Sequence, residues 1–247
     1  MTQLTAPAVR QYEFERAGAR GAIYRLAAVA LGYPLDETWE ALADGRLQAA
    51  LSGALQTLGD EPWPTVDASF SSEDLQVGYM ATFVHGKLGK PRVPLVASAY
   101  GGLIGGLTPG AYMLNVQAFY THFGLTAAVE DEGHKDQPDH LLAMLEFCAL
   151  LCHLEAQALE NSRDAAPYRR AQRDFLVRYL RPLLQAIRAT YAQENQYGLD
   201  ANLAHLVKVL PDWTHTQQLA LETQVGPSPE EGVKKAGSEL ASQPMWD

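Results

Sequence analysis

Cysteine is scarce in this chain: only Cys148 and Cys152 occur in 247 residues. Two thiols cannot build the disulfide framework of a small secreted protein. They stand one helical turn apart in an apolar run, the setting of small buried hydrophobes. A shared zinc would need two further ligands from elsewhere, and His153 points about 100° away from Cys152 on a helix. Basic residues are also few, 19 Lys and Arg against 29 Asp and Glu, giving a net charge of −10. A general nucleic-acid binder is thereby excluded, because it needs a basic footprint to neutralise phosphates. The same negative field suits a cationic partner. No apolar run approaches the roughly 20 residues needed to span a bilayer. The N-terminus lacks a basic stretch followed by an apolar one, so a cytoplasmic address is expected.

Catalytic templates are missing too. Val96-Ala-Ser98-Ala-Tyr100 is not a G-x-S-x-G elbow. Gly101-Gly-Leu-Ile-Gly-Gly106 matches neither G-x-x-x-x-G-K-[ST] nor G-x-G-x-x-G, and reads as a connection between helices. His85, His122, His134, His205 and His215 show no H-E-x-x-H spacing. No catalytic residue, metal or cofactor is expected. A nucleotide hydrolase built on residues 101–106 and the arginines between 163 and 188 is the weaker alternative, as is a permanent structural or assembly subunit of a redox complex. Arg163, Arg169, Arg170, Arg173, Arg178, Arg181 and Arg188 form one basic region. A solvated helix face is its ordinary explanation, and phosphate contact the functional one.

What the chain has is helical periodicity. Apolar residues at Ile23, Leu26, Ala27, Ala30 and Leu31 predict a helix over 17–31, stopped by Gly32-Tyr33-Pro34. Asp36 is placed as N-cap of a short helix ended by Gly45, and a second amphipathic stretch over 47–58 closes at Gly59. Ser71-Ser-Glu-Asp74 resembles a capping box opening a helix with Leu75, Tyr79 and Phe83 on one face. Residues 86–94 form a Gly/Pro loop, 111–123 a further helix and 129–137 a polar loop. Pro138 is expected as the first residue of the most apolar helix, running to about Glu160. The next helix spans about 168–196 with a kink at Pro182, and a last one, 199–210, ends before Pro211. No run alternates with period two and no repeat occurs. The expectation is all-α: one compact helical bundle over 1–225, then a flexible tail over 226–247.

Two constellations remain. Tyr79 and Phe83 at i, i+4 share a face; such pairs ordinarily pack in a core, and alternatively line an aromatic groove for an apolar segment. Asp139-His140 sits at a helix N-terminus, where an acid is favoured and His can satisfy a backbone group; alternatively the pair rims a site for a basic peptide.

Taken in order, Tyr79-x-x-x-Phe83, the Gly/Pro loop into Pro94-Leu-x-x-Ser98-x-Tyr100, Pro138-Asp139-His140-Leu-x-x-x-Leu-Glu146-Phe147 and Phe175-x-x-x-Tyr179-Leu-x-Pro182 resemble the redox-enzyme maturation chaperones of the TorD/DmsD/NarJ type. The match spans roughly residues 20 to 210. It implies a TorD-like all-α bundle without chemistry of its own. The implied partner is the apo catalytic subunit of a molybdopterin-dependent oxidoreductase, held through its twin-arginine leader until the cofactor is inserted. Neither nucleic acid nor a membrane span is implied, and the chaperone would act as a monomer or dimer. Tyr79, Phe83, Pro94, Ser98, Tyr100, Asp139, His140 and Glu146 would form the leader-binding surface. Ala97 and Met144 stand where relatives commonly carry acids. The 93–100 run looks most like chaperones of type II molybdoenzymes.

Overall fold

The computed structural model describes residues 6–68, 71–86, 88–125, 137–194 and 198–229. Most of the expected polar loop over 129–137, and the tail beyond residue 229, lie outside them. Nine α-helices are described: α1 Ala6–Leu31, α2 Asp36–Ala43, α3 Arg46–Leu58, α4 Ser72–Tyr79, α5 Pro109–His122, α6 Leu141–Glu160, α7 Ala166–Phe175, α8 Arg181–Gln193 and α9 Ala201–Val225. Among the described residues the only strand-like feature is an isolated antiparallel bridge, Val96 to His140. The all-α expectation holds.

The centre of the molecule is the seam between α1 and α6. Small residues permit close approach there: a Cβ on Gly21 would lie 3.2 Å from that of Cys152. Both cysteines are buried, and burial pushes the Cys152 thiol up to about 12, so they pack as small hydrophobes. Glu155 lies inside this seam, 1% exposed. Its carboxylate accepts from Arg20 of α1 at 2.5 Å, Arg169 of α7 at 2.7 Å and the Gln172 amide of α7 at 2.7 Å. Three helices are therefore fixed by one satisfied buried charge. On another side of α6 lies an aromatic layer in which Phe147, Phe175 and Tyr120 meet with ring centroids 4.8–6.0 Å apart. By length and composition α6 could cross a membrane, but 61% of its apolar window is buried inside the protein, as in a core helix.

Helix ends follow local chemistry in most places. Ser71 caps α4 by accepting from the Asp74 N–H at 3.1 Å, and Gly59 ends α3 at φ 83°. Leu35 is the N-cap residue of α2, so Asp36 belongs to its first turn, where it accepts from Ser72 Oγ at 2.6 Å. Three other boundaries depart from the sequence expectation, and the distortion expected at Pro182 takes the form of a π turn. Helix α1 begins eleven residues early, at Ala6, because its polar first half is tied to distant segments: Arg16 donates to the Leu58 carbonyl at 2.8 Å and Arg10 to Ser162 Oγ at 2.5 Å. Pro138 is not helical. The backbone at His140 is extended (ψ 139°), because 139–141 pairs with 95–97, and α6 starts at Leu141. Pro182 produces a π turn, Leu176–Leu180, just before α8. Pro211 does not end α9. Leu206, Val207 and Leu210 before it and Leu221 beyond it are all buried, and this packing outweighs the roughly 3 kcal/mol a mid-helix proline costs.

The expected solvated face holds for only part of the basic region: Arg163 and Arg170 are exposed, whereas the arginines that follow are wholly or partly buried. Arg173 is 4% exposed and donates to the last carbonyls of the α9 end, Val225 at 3.2 Å and Gly226 at 2.7 Å. Arg178 lies over the Phe119 ring, Arg181 donates to Gln218, and Arg188 pairs with Asp212. Apart from Arg178, whose partner ring is on α5, their long stems carry the charge to partners across the α7/α8/α9 interface.

Two measurements check this packing. Glu155→Gln leaves Arg20 without its buried counter-charge and lowers stability by about 3–5 kcal/mol in urea unfolding at pH 7. Burial opposes ionisation of Glu155, yet Arg20, Arg169 and Gln172 together hold its carboxyl below the usual range. A depressed folded-state value means this stabilisation is full above the usual carboxylate range and lost as pH falls through it. The wild type therefore loses stability on acidification below about pH 4.5, and the variant loses less. Gly78→Ala would place a Cβ 2.2 Å from the Gly198 carbonyl oxygen; it lowers the urea midpoint by the equivalent of about 1–3 kcal/mol.

Candidate peptide-binding site

Pro94 fixes an extended backbone before it, and the chain runs on through buried Leu95 and Ala97. This segment meets the start of α6 head-on. The Leu141 N–H donates to the Leu95 carbonyl at 2.8 Å, and the Ala97 N–H to the Asp139 carbonyl at 3.0 Å. Asp139 is fully buried, and its Oδ2 accepts from the Ser98 N–H at 2.7 Å while Oδ1 has no hydrogen-bond partner among the described residues. Two tyrosines close the corner: Tyr100 donates to the Pro94 carbonyl at 2.8 Å and Tyr120 to the Pro138 carbonyl at 2.7 Å. Burial pushes the Tyr100 phenol up to about 12, so it stays a donor at neutral pH. His140 caps α6, its Nδ1 accepting from the Leu142 N–H at 3.2 Å.

The structure thus brings Pro94, Ser98, Tyr100, Asp139 and His140 into one corner. All but Asp139 are half-buried and reach its surface. Tyr79 and Phe83 lie in the core, each 5% exposed, with ring centroids 5.2 Å apart. The Tyr79 hydroxyl donates to the Leu31 carbonyl at the end of α1, 3.1 Å away. Behind them a π turn, Met80–Val84, orients the Thr82 carbonyl to accept from both the Arg92 and Val93 N–H groups. Glu146 is exposed, and it lines a separate cavity of about 470 Å³ with Arg25 and His153, between α1 and α6.

A second surface feature escaped the sequence argument. Between α3, residues 60–64 and α9 lies an apolar groove of about 470 Å³. Its walls include Leu55, Val209, Trp63 and Trp213. Both indole N–H groups are already used: Trp63 donates to Asn202 Oδ1 at 3.1 Å and Trp213 to Asp60 Oδ2 at 3.2 Å. What the rings offer the groove is apolar face. His205 meets Trp63 edge-on at 4.7 Å, and burial together with nearby Lys208 lowers its pKa, keeping it neutral at pH 7. Asp60, Glu61 and Asp212 also line the groove, giving it the mixture of apolar walls and acids that receives an apolar segment carrying cations. Trp63 stands in Pro62-Trp63-Pro64, which the sequence marks only as a loop, and Trp213 lies beyond the expected stop at Pro211. Two tryptophans flanking predicted helix ends were the available signal.

The family model for the nitrate reductase delta subunit matches residues 40–189, from α2 into α8 and across the whole 94–100/138–142 corner. The chain belongs to the nitrate reductase delta subunit family. The TorD/DmsD/NarJ-type resemblance is therefore shown. As a member of that family the chain is similar to the dimethyl sulfide dehydrogenase assembly chaperone protein of Rhodovulum sulfidophilum, 39% identical over 99% of this chain and 98% of the relative. It is 32% identical to the perchlorate reductase assembly chaperone protein of Dechloromonas aromatica (strain RCB), over 69% of this chain and 77% of that one. Against the selenate reductase assembly chaperone protein of Thauera selenatis it is 35% identical over 64% of this chain and 83% of that one. No solved structure matches the chain significantly. In this family member the 94–100/138–142 corner lies inside the matched residues, whereas the α9 wall of the groove lies outside them.

Asp139→Ala removes the acceptor of the half-buried Ser98 N–H. Urea unfolding should show a loss of about 1–3 kcal/mol, and amide exchange at Ser98 should speed up while exchange in the middle of α6 changes only with global stability.

Proposed function

We propose that this protein is a system-specific assembly chaperone that holds the apo catalytic subunit of a molybdopterin-dependent oxidoreductase, of the type II group, through its twin-arginine leader. It does so in the cytoplasm, before cofactor insertion and export. The observation that carries this is the similarity over nearly both full lengths to a relative named as an assembly chaperone for dimethyl sulfide dehydrogenase. Relatives named for perchlorate and selenate reductases support the same client class. The activity is one of holding, and the chain's own residues are assigned no bond-making step.

The leader's apolar stretch is assigned to the groove between α3 and α9, with its arginines directed to Asp60, Glu61 and Asp212. Ordered indole faces accept apolar side chains at little conformational cost, and the carboxylates attract guanidinium groups. Pro94, Ser98, Tyr100 and His140 supply a second contact surface for the client. Tyr79, Phe83 and Asp139 support that corner from inside, and Glu146 is left as an outlying contact. The net charge of −10 speeds encounter with a cationic leader.

Titrating a synthetic leader of the client into the full chain should give micromolar affinity or better, about −8 kcal/mol. Val209→Lys, which puts a cation into the groove, should weaken it at least about tenfold. His140→Ala should weaken binding of the whole apo subunit more than binding of the leader alone. Unchanged leader affinity in Val209→Lys would remove the groove from the assignment, and no binding of leader or apo subunit by the wild type would remove the chaperone function.

A further inference from the structure

We propose that the cavity where α1, α6, α7 and the end of α9 meet is a binding site for a phosphate or diphosphate group of a small molecule. This is independent of the peptide surfaces and concerns a different face of the protein.

The cavity holds about 300 Å³ and is lined by Arg16, Arg20 and Arg169 with Glu13, Glu155 and Tyr12. Three guanidinium groups face two carboxylates, so the site is locally positive on a chain of net charge −10. Glu155 already accepts from Arg20, Arg169 and Gln172, which takes up most of its acceptor capacity. Each guanidinium carries five N–H donors. Donors therefore outnumber the acceptors that the cavity itself supplies. One of them, Arg20 Nε, is buried and has no hydrogen-bond partner among the described residues, on a side chain 5% exposed. A charged donor left unpaired in the interior is costly, and an anion held by the neighbouring guanidinium groups would lessen the cost of burying that positive charge.

The arginines are also held in place before any ligand arrives. Arg16 is fixed through Nη1, which donates to the Leu58 carbonyl at 2.8 Å and the Tyr12 hydroxyl at 3.2 Å, and its guanidinium lies 5.4 Å from the Tyr12 ring centre. Arg169 is fixed by Glu155 at 2.7 Å and Glu13 at 3.3 Å. Pre-positioned guanidinium groups from two helices, Arg16 and Arg20 on α1 and Arg169 on α7, suit a tetrahedral anion with several oxygens better than a planar carboxylate, which one fork satisfies. The volume, at the lower end for ligand sites, admits a phosphate or diphosphate with a small attached group. Because arginine does not titrate near neutrality, the site keeps its charge across the physiological range.

The test is calorimetric titration of the full-length protein at low ionic strength with inorganic phosphate, pyrophosphate and acetate, in parallel. Saturable one-to-one binding of phosphate or pyrophosphate is expected, weakening as salt rises. Tighter binding of pyrophosphate assigns a diphosphate, and tighter binding of phosphate a single phosphoryl group; either supports the site. Arg16→Gln should weaken binding at least about tenfold, the loss of one charge-assisted hydrogen bond. Arg169→Gln should do the same if circular dichroism shows it folded, and otherwise Arg16→Gln carries the comparison. Arg170→Gln, one residue along α7 and outside the cavity lining, should bind as the wild type does. Absence of saturable binding at millimolar phosphate overturns the proposal. So does acetate binding as tightly as phosphate, or Arg170→Gln weakening binding as much as Arg16→Gln.

Discussion

The rest of the structure depends on how α1 and α6 come together. Gly21 and Cys152 let the two backbones approach, and that closeness puts Arg20 and Glu155 out of reach of water. A buried charge is tolerable only when paired and fully hydrogen-bonded. Helix α7 must therefore arrive with Arg169 and Gln172 at the height of Glu155, and it does. One carboxylate thereby sets the relative position of three helices. Small side chains alone would permit several sliding registers of α1 on α6, whereas the ion pair permits one.

The same helix carries the surface through which a client is proposed to be held. At its N-terminus α6 is joined to 95–98 by backbone pairing, by the Asp139 carboxylate and by the His140 cap. The corner at 94–100 and 138–142 is thus an extension of the core helix and moves with it. Phe147 and Phe175 lie beneath it in the aromatic layer, with Tyr120 reaching from that layer to Pro138. For a protein that binds and releases a partner, rigid attachment of the contact surface to the core lowers the ordering cost of each encounter. The groove between α3 and α9 achieves a similar rigidity differently: its indoles are anchored by their own N–H groups.

Much of this was visible in residue patterns, and the exceptions have physical reasons. Ser71, Gly59 and the periodic apolar residues of α3 and α6 announced their helices because capping and burial act over a few residues. The structure brings Pro94, Ser98 and Tyr100 beside Asp139 and His140, but their division into buried Asp139 and half-buried neighbours was not legible, because it depends on pairing across some forty residues. Tyr79 and Phe83 carry the same i, i+4 signature whether they line a groove or fill a core. The arginines after Asp164 looked like a solvated face because their partners, Glu155, Gln218 and the end of α9, are distant in the chain.

By itself the sequence determined the helical class, most helix positions, the absence of a recognisable catalytic template and, through ordered short motifs, the family. These rest on interactions within a few residues or on residue identity alone. Only the tertiary structure decided that α9 continues through Pro211, that Pro138 precedes α6, that Tyr79 and Phe83 are core, and that Trp63 and Trp213 line one groove. Each of those outcomes is a contest between a local preference of a few kcal/mol and the burial or hydrogen bonding supplied by a distant segment. A single stretch of sequence states the preference but not the strength of its opponent.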